Sequence, residues 1–299
     1  VLDTIKPLIT CPNSVTLNAV TGSCEQIHSW LIPVPTDACG IASNVDSVSN
    51  MTVNIVDIPP SAFAVFPVGT TTVWYIATDV NGNTASCNFT VTVVDNQDPI
   101  ITGCPSNIGP LSNDAGQCGR NVSWTAPTAS DNCPGVTLEV DPVNANGSFF
   151  PVGTTTVTYT ATDASGRTAE CSFTVTVVDT EAPQITCPAD ITVGNDAGLC
   201  SAVVNYTAPV GTDNCPGAMT SHLSGPLSGA TLSVGTHTVV YKVTDAGGLM
   251  TTCDFTITVN DTELPQITCP SNIVVSNDAG ECGADVTYST PFGTDNCTG

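Results

Sequence analysis

Positive charge is nearly missing from this chain: four lysines and arginines stand against 27 aspartates and glutamates in 299 residues, and histidine occurs three times. So little basic surface excludes direct binding to nucleic acid and direct insertion into an anionic membrane, both of which need a positive footprint. His28, His222 and His237 sit in unrelated contexts, so they form no recurring catalytic or metal-binding constellation. No H-E-x-x-H, G-x-S-x-G or phosphate-cradling glycine loop is found, and no catalytic residue is assigned; the chain reads as a non-enzyme. There is no Cys-x-x-Cys pair, helix signals are essentially absent, and neither an apolar run of membrane-spanning length nor a secretory-signal pattern is found. A formal net charge of −23 would suit a disordered chain, but 41% apolar residues arranged in regular strands argue against disorder.

What is abundant is repetition. Phe150–Asp179 (FPVGTTTVTYTATDASGRTAECSFTVTVVD) recurs nearly unchanged as Phe66–Asp95 and more loosely as Leu232–Asp261. In Thr156–Thr162 apolar and polar residues alternate, with Val157, Tyr159 and Ala161 on one face and threonines on the other. Asp163–Gly166 has turn chemistry, and the return strand sets Cys171, Phe173, Val175 and Val177 on one face. A hairpin with one dry face and one threonine-lined face needs a second sheet over it, which predicts an all-β sandwich repeated along the chain.

Cys-Pro pairs at Cys11, Cys104, Cys187 and Cys269 mark the period. The predicted units are 1–95 (divergent), 96–179, 180–261 and a shortened 262–299. They are joined by short Asp-to-Pro links that proline stiffens. Val1-Leu-Asp-Thr matches an end-of-unit string, so the sequence is expected to be a piece of something longer. Within the second unit Ile100–Cys104, Asn121–Ala126 and Val136–Val140 are predicted strands, with Val122 and Trp124 facing in; Val203–Thr207 is the counterpart in the third. Unit one carries about ten extra residues between Cys39 and Cys87, an insertion around Asn44–Ala64, and its Phe63, Val65 and Phe66 read as the start of a core strand.

The 15 cysteines fall in fours: Cys11, Cys24, Cys39, Cys87; Cys104, Cys118, Cys133, Cys171; Cys187, Cys200, Cys215, Cys253; then Cys269, Cys282, Cys297. In a β-rich, histidine-poor chain this points to disulfides and an oxidising compartment. Three connectivities per unit are open. The preferred one joins first to fourth, because the outer strands of such sandwiches lie side by side, and second to third, as in Cys118 with Cys133. The second pairing is the less comfortable, since a predicted strand separates its members.

Together the Cys-Pro, Asn-Asp-Ala-Gly, Asp-Asn-Cys, FPVGTTTVTYTATD and C-x-F-T-V strings resemble the hyalin repeat (HYR) domain, especially the four-cysteine form met in tandem arrays of bacterial surface proteins. Unit one is the weakest match. The resemblance implies an immunoglobulin-like extracellular module of adhesion or surface architecture with no catalytic residues to carry over. In the family the chain resembles, members with only two of the four cysteines tend to lack the second and third together, which implies that these two pair.

One binding site is foreseen. Asn113, Asp114, Asp179, Glu181, Asp213, Asn214 and Asp245 should converge where units two and three meet, and their oxygens suit calcium. The alternative is that all of them simply form turns, as Asp and Asn do without any metal. Asn50, Asn88, Asn121, Asn146, Asn205, Asn260 and Asn296 begin N-x-S/T triplets whose modification is left open.

The expected role is a secreted, extracellular or cell-surface stalk, adhesin or filament subunit. Its partners would be like subunits, other surface proteins or glycans, and mutual repulsion of the acidic units would favour an extended array. The alternatives are a ligand-binding adhesin or accessory module of a larger secreted enzyme, with the insertion as the place to look, and subunit joining by strand addition.

Overall fold

A computed structural model of the chain describes residues 2–42, 46–49, 56–58 and 60–297. Of the insertion around Asn44–Ala64, residues 44, 45, 50–55 and 59 lie outside the described residues, as does Asn50. The chain divides into two compact units, one of Val1–Gly109, Asn121–Phe150 and Thr154–Thr176, the other of Pro110–Arg120, Pro151–Gly153 and Val177–Gly299. Each is all β among the described residues, apart from one 3₁₀ turn at Pro142–Asn144 capped by Asp141. No helix there is long and apolar enough to cross a membrane.

The repeated hairpin is the centre of each sandwich. In repeat 1 the strands Gly69–Thr78 and Thr84–Val94 pair antiparallel with Val73 opposite Phe89 and Tyr75 opposite Cys87. In repeat 3 Gly235–Thr244 and Met250–Asn260 do the same with Val239 opposite Phe255 and Tyr241 opposite Cys253. Alternation sends Val73, Tyr75, Phe89, Val91 and Val93, and likewise Val239, Tyr241, Phe255, Ile257 and Val259, into the core, each at most 6% exposed. Each such valine or phenylalanine contributes roughly 1.5–3 kcal/mol of burial. The opposite face carries threonine pairs such as Thr70 with Thr92 and Thr236 with Thr258. In repeat 2 the strands Gly153–Thr162 and Thr168–Val178 show the same alternation, with Val157, Tyr159, Ala161, Phe173, Val175 and Val177 buried.

A short strand early in each of repeats 1 and 3 runs parallel to the last one, Val15–Asn18 against Val91–Val94 and Ile191–Gly194 against Ile257–Asn260. That register has an offset of 76 residues in repeat 1 and 66 in repeat 3, the separations of Cys11 from Cys87 and of Cys187 from Cys253. Continued four residues back, the register sets each first cysteine opposite its fourth. Disulfides join them there, and Cys104 to Cys171.

Over the hairpin of repeat 1 lies a second sheet in which Glu25–Leu31 pairs with Ser61–Pro67 and the latter with Val56–Ile58. In repeat 3 Ser201–Val204 pairs with Ala230–Ser233. Each covering layer supplies one aromatic anchor: the Trp30 indole N–H donates to the Tyr75 hydroxyl (2.7 Å), the Trp124 N–H to that of Tyr159 (3.0 Å), and Tyr206 approaches Tyr241 (3.4 Å). The same three rings stand edge-on to Phe89, Phe173 and Phe255 at centroid distances of 5.1 to 5.4 Å.

Three strand expectations are corrected. Asn121–Ala126 is not a strand beyond Asn121, because Trp124 N donates to the Asn146 side chain rather than to a neighbouring backbone. Val122 is nevertheless buried. In repeat 3 the strand ends at Val204, since Tyr206 N bonds the Ser228 hydroxyl. Thr128–Ser130, outside the predicted strands, pairs with Ile100–Thr102. Of the supposed core start Phe63, Val65 and Phe66, only Phe66 is buried; Phe63 and Val65 are about 40% exposed because alternation gives the inner face to Ala62, Ala64 and Phe66.

Two stability predictions arise here. Gly225 follows a bulge between His222 and Ser224, has φ +93°, and a Cβ on it would stand 2.2 Å from the Thr238 carbonyl oxygen. Gly225→Ala should therefore cost repeat 3 about 3 kcal/mol in denaturant unfolding; a cost below about 1 kcal/mol would refute the close approach. Burial, with the Tyr241 hydrogen bond second, pushes the Tyr206 phenol up to about 12. An unfolded tyrosine ionises near pH 10, so between pH 10 and about 12 the unfolded chain gives up a proton that the folded chain keeps. Stability is full below pH 10 and falls as pH rises, by roughly 1 kcal/mol per unit. Tyr206→Phe should flatten that alkaline slope, as read from melts between pH 9 and 11.

Candidate junctional cation centre

The second and third cysteines do not pair within a repeat. Cys24 joins Cys133, Cys118 joins Cys215, and Cys200 joins Cys297, while Cys39, Cys269 and Cys282 are free and exposed. This corrects the expected pairs Cys24–Cys39, Cys118–Cys133, Cys200–Cys215 and Cys282–Cys297. The reason is position. The turn before Cys24 is tied to the end of its own repeat by Ala19 N donating to Val94 O, whereas Cys39 lies beside Asp3 at the beginning. Seven strand residues, Glu25–Leu31, run between them and span about 23 Å, far beyond the roughly 7 Å a disulfide bridges. Repeat 3 repeats this, with Asn195 N bonded to Asn260 O near Cys200 and Cys215 beside Asp179.

Around two of these bridges carboxylates are gathered. Asp95, Asp131 and the Cys133 sulfur have ligand atoms within 4.8 Å of one another, as do Asp179, Asp213 and the Cys215 sulfur. The oxidised sulfurs have no thiolate to offer, so the donors are oxygens. In each loop one aspartate oxygen caps the turn and the other is left over. Asp131 Oδ2 accepts from Cys133 N and Asp213 Oδ2 from Cys215 N, both at 2.9 Å. Asp163 Oδ1 accepts from Ser165 N and Arg167 N, and Asp245 Oδ1 from Leu249 N. The remaining oxygens, Asp95 Oδ2, Asp131 Oδ1, Asn132 Oδ1 and Asp163 Oδ2 at the first junction, and Asp213 Oδ1, Asn214 Oδ1 and Asp245 Oδ2 at the second, are buried without a hydrogen-bond partner. Asp95, Asp163 and Asp245 are 4%, 5% and 7% exposed. The loop and the hairpin turn lie against each other: a Cβ on Gly135 would meet that of Ala164, and one on Gly217 that of Ala246, at 3.3 Å.

Of the residues foreseen for calcium, the structure brings Asp179 and Asp213 together and leaves oxygens of Asp213, Asn214 and Asp245 unpaired. Asn113 is committed to the turn, accepting from Thr180 N and donating to Gln117 O; Asp114 N donates to Gly119 O; and Glu181 accepts from Gly116 N. Glu181, Gly116, Asp213 and Asn214 nevertheless line one shallow polar cleft of about 240 Å³. The equivalent set at the first junction, Asp95, Asp131, Asn132 and Asp163, was not singled out from sequence, although the repeated Asp-Asn-Cys and hairpin-turn Asp carry the signal.

A third cluster, Asp3, Asp37 and Cys39, provides the contrast. There Asn81 donates to Asp3 Oδ2, Asn83 Nδ2 donates to Asp79 Oδ2, and no oxygen of Asp3, Asp37 or Asp79 is among the buried unpaired ones. Burial pushes the Asp79 carboxyl up, but the Asn83 and Asn81 bonds outweigh it and hold it below its usual range. Hydrogen bonding to Asp3 and then its charge push the Cys39 thiol up. At this cluster the Asn81 and Asn83 side chains donate to Asp3 Oδ2 and Asp79 Oδ2; at the first junction Asn132 Nδ2 donates to Asp95 Oδ1 and Ser165 Oγ to Asp163 Oδ1, which leaves Asp95 Oδ2 and Asp163 Oδ2 without a donor. None of the histidines enters a cluster: His28 stacks on Trp30, His222 meets Tyr241 edge-on, and His237 bonds Ser233 O.

Among known proteins, the family model described as "HYR domain" matches residues 2–93, 94–177 and 178–259. Hyalin of Strongylocentrotus purpuratus is 37% identical over 98% of the chain and 24% of its own length, and hyalin of Lytechinus variegatus 34% identical over 98% and 54%. A serine-rich adhesin for platelets of Staphylococcus aureus is 26% identical over 61% of the chain and 13% of its own length. The chain thus spans between a quarter and about half of the hyalins it matches. Matched along most of its length, an all-β, disulfide-bonded tandem array with adhesion-type relatives, this chain belongs to the HYR domain family.

Proposed function

We propose that the chain is a load-bearing, non-enzymatic segment of an extracellular or surface adhesion protein, with successive HYR units 1–95, 96–179, 180–261 and 262–299 clasped to one another rather than merely strung. The observation that carries this reading is the linkage of the second cysteines Cys24, Cys118 and Cys200 to the third cysteine of the following repeat. Closed loops of 109, 97 and 97 residues overlap along the chain, so no repeat can be pulled out without breaking a covalent bond. Calcium is the second clasp in this reading. Convergent carboxylate and amide oxygens without protons to accept are the donor chemistry of a hard cation with several oxygen ligands. The ion would neutralise charges that otherwise repel. The names of the hyalins and the platelet adhesin support an adhesive or matrix setting. Surface proteins, glycans or like subunits are the partners this reading names. Extension of the oxidised chain under load is the test: a short, fixed limit supports the reading, and extension toward the full contour length sinks it.

A further inference from the structure

At the first junction the side chains that position a disulfide are the same ones that carry the orphaned oxygens. Asp131 Oδ2 accepts from the Cys133 N–H at 2.9 Å. The Asn132 amide donates to Ser23 O (3.1 Å), the carbonyl just before Cys24, and to Asp95 Oδ1 (3.3 Å), and it lies 3.3 Å from the Cys133 sulfur. These bonds set Cys133 against Cys24, and the bridge closes with Cα atoms 4.8 Å apart. Asp95 Oδ2, Asp131 Oδ1 and Asn132 Oδ1 are the atoms left buried without a partner, and Asp95 is only 4% exposed. Asp95, Asp131 and the Cys133 sulfur have ligand atoms within 4.8 Å of one another, so bridge and oxygens form one cluster.

The second junction is built in the same way. Asp213 Oδ2 accepts from Cys215 N, Asn214 donates to Gln117 O, the carbonyl just before Cys118, and Asp213 Oδ1 and Asn214 Oδ1 are left over. By contrast, none of the bridges Cys11–Cys87, Cys104–Cys171 and Cys187–Cys253 has a sulfur in such a cluster among the described residues. We propose, resting on the calcium clasp described above, that these two junctions are redox-gated cation sites: the Cys24–Cys133 and Cys118–Cys215 bridges hold the oxygen donors together, so that calcium protects both bridges from reduction and reduction releases calcium.

The sign follows from what each state of the bridge does to the carboxylates. Closed, it keeps Asp95 and Asp131 at a separation where two negative charges repel, and a cation at their oxygens removes that cost. Open, the loop is free to turn its carboxylates apart toward water, and gathering them again costs ordering entropy before an ion can bind. The freed sulfur does not compensate, because calcium is a hard ion that takes oxygen ligands. Calcium therefore binds the oxidised joint more tightly, and by reciprocity it makes that joint harder to reduce by the same factor. Two glutathione thiols supply the two electrons and two protons of the reduction: the protein S–S bond breaks to two cysteine thiols and one glutathione S–S bond forms.

For the test, the full oxidised chain with Cys39, Cys269 and Cys282 alkylated is equilibrated in glutathione redox buffers containing calcium or chelator. The buffers are then quenched with an isotopically distinct alkylating reagent, and each bridge is mapped by mass spectrometry. Saturating calcium should lower the equilibrium constant for opening Cys24–Cys133 and Cys118–Cys215 about tenfold, or about 30 mV for a two-electron couple. The three bridges within repeats should move by less than about twofold, well below a typical coupling between linked sites. Asp95→Asn should abolish the shift at Cys24–Cys133 and keep it at Cys118–Cys215, and Asp245→Asn should do the reverse. Calorimetric titration of calcium into the oxidised parent separates the gating from the clasp beneath it. Absence of calcium binding there overturns both. Calcium binding with unshifted Cys24–Cys133 and Cys118–Cys215 equilibria, or with an equal shift at the bridges within repeats, overturns the gating alone.

Discussion

Held by its two termini and pulled with all six disulfides intact, the chain should stop lengthening at about 200 Å, whereas after reduction it should reach about 1,000 Å. Tension takes the shortest covalent path. That path runs from Val1 to Cys24, across to Cys133, back to Cys118, across to Cys215, back to Cys200 and across to Cys297. It contains about 55 residues, each contributing at most ~3.6 Å when extended. All six strands of the three central hairpins lie off this path and are shielded from load even after they unfold. Bridges closed within each repeat would give a different limit: with Cys118 on Cys133 and its counterparts, about 74 residues would be stretched and the end point would be about 270 Å. Force spectroscopy on the full chain, with Cys39, Cys269 and Cys282 alkylated to block exchange, separates the two. An oxidised limit near 270 Å or beyond would remove the clasped-joint reading.

The hairpins were legible in the sequence because their physics is local: period-two alternation in Thr156–Thr162 and an Asp-to-Gly turn specify a half-buried strand pair without reference to the rest of the chain. Cys11–Cys87 could be anticipated for a similar reason, since neighbouring outer strands bring them together. The Asn121–Ala126 strand failed because the ladder bond is replaced by one from a side chain 22 residues away, Asn146, which alternation does not encode. The second and third cysteines failed differently. Sequence placed the Asn113–Gly116 turn and the Asp213–Asn214 loop at one junction, facing each other from consecutive repeats, and that placement already sets Cys118 beside Cys215. Pairing Cys118 with Cys133 instead treated the repeat as a closed unit, and a cross-link between units leaves no mark in the spacing within one. Asp179, Asp213, Asn214 and Asp245 were legible as a group from the same placement at one junction, while Asn113 and Glu181 were taken by backbone donors that only the folded turn reveals.

Calcium added to the metal-stripped, oxidised chain should raise its melting temperature by about 10 °C, and the substitutions that remove the effect should not weaken the stripped protein. At the first junction Asp95 and Asp131 bring carboxylate oxygens within 4.8 Å, which at an effective dielectric near 20 costs roughly 3 kcal/mol of repulsion without an ion. Asp95 Oδ2, Asp131 Oδ1 and Asp163 Oδ2 meanwhile forgo water without gaining a donor. Calcium removes both penalties and, at a hundredfold excess over its Kd, adds about 2.7 kcal/mol per site. Magnesium, which keeps its water and demands a stricter octahedron, should do much less. Asp95→Asn retains the shape and relieves the repulsion. Without metal it should melt at or slightly above the parent, while losing the calcium response of the first junction and keeping that of the second; Asp245→Asn should do the reverse. Asp79→Asn, in the cluster already satisfied by Asn81 and Asn83, should leave the response intact. Differential scanning calorimetry with calcium, magnesium or chelator reads all of these. Identical parent melts in calcium and in chelator would eliminate the ion, leaving the buried carboxylates to be explained by turn formation alone.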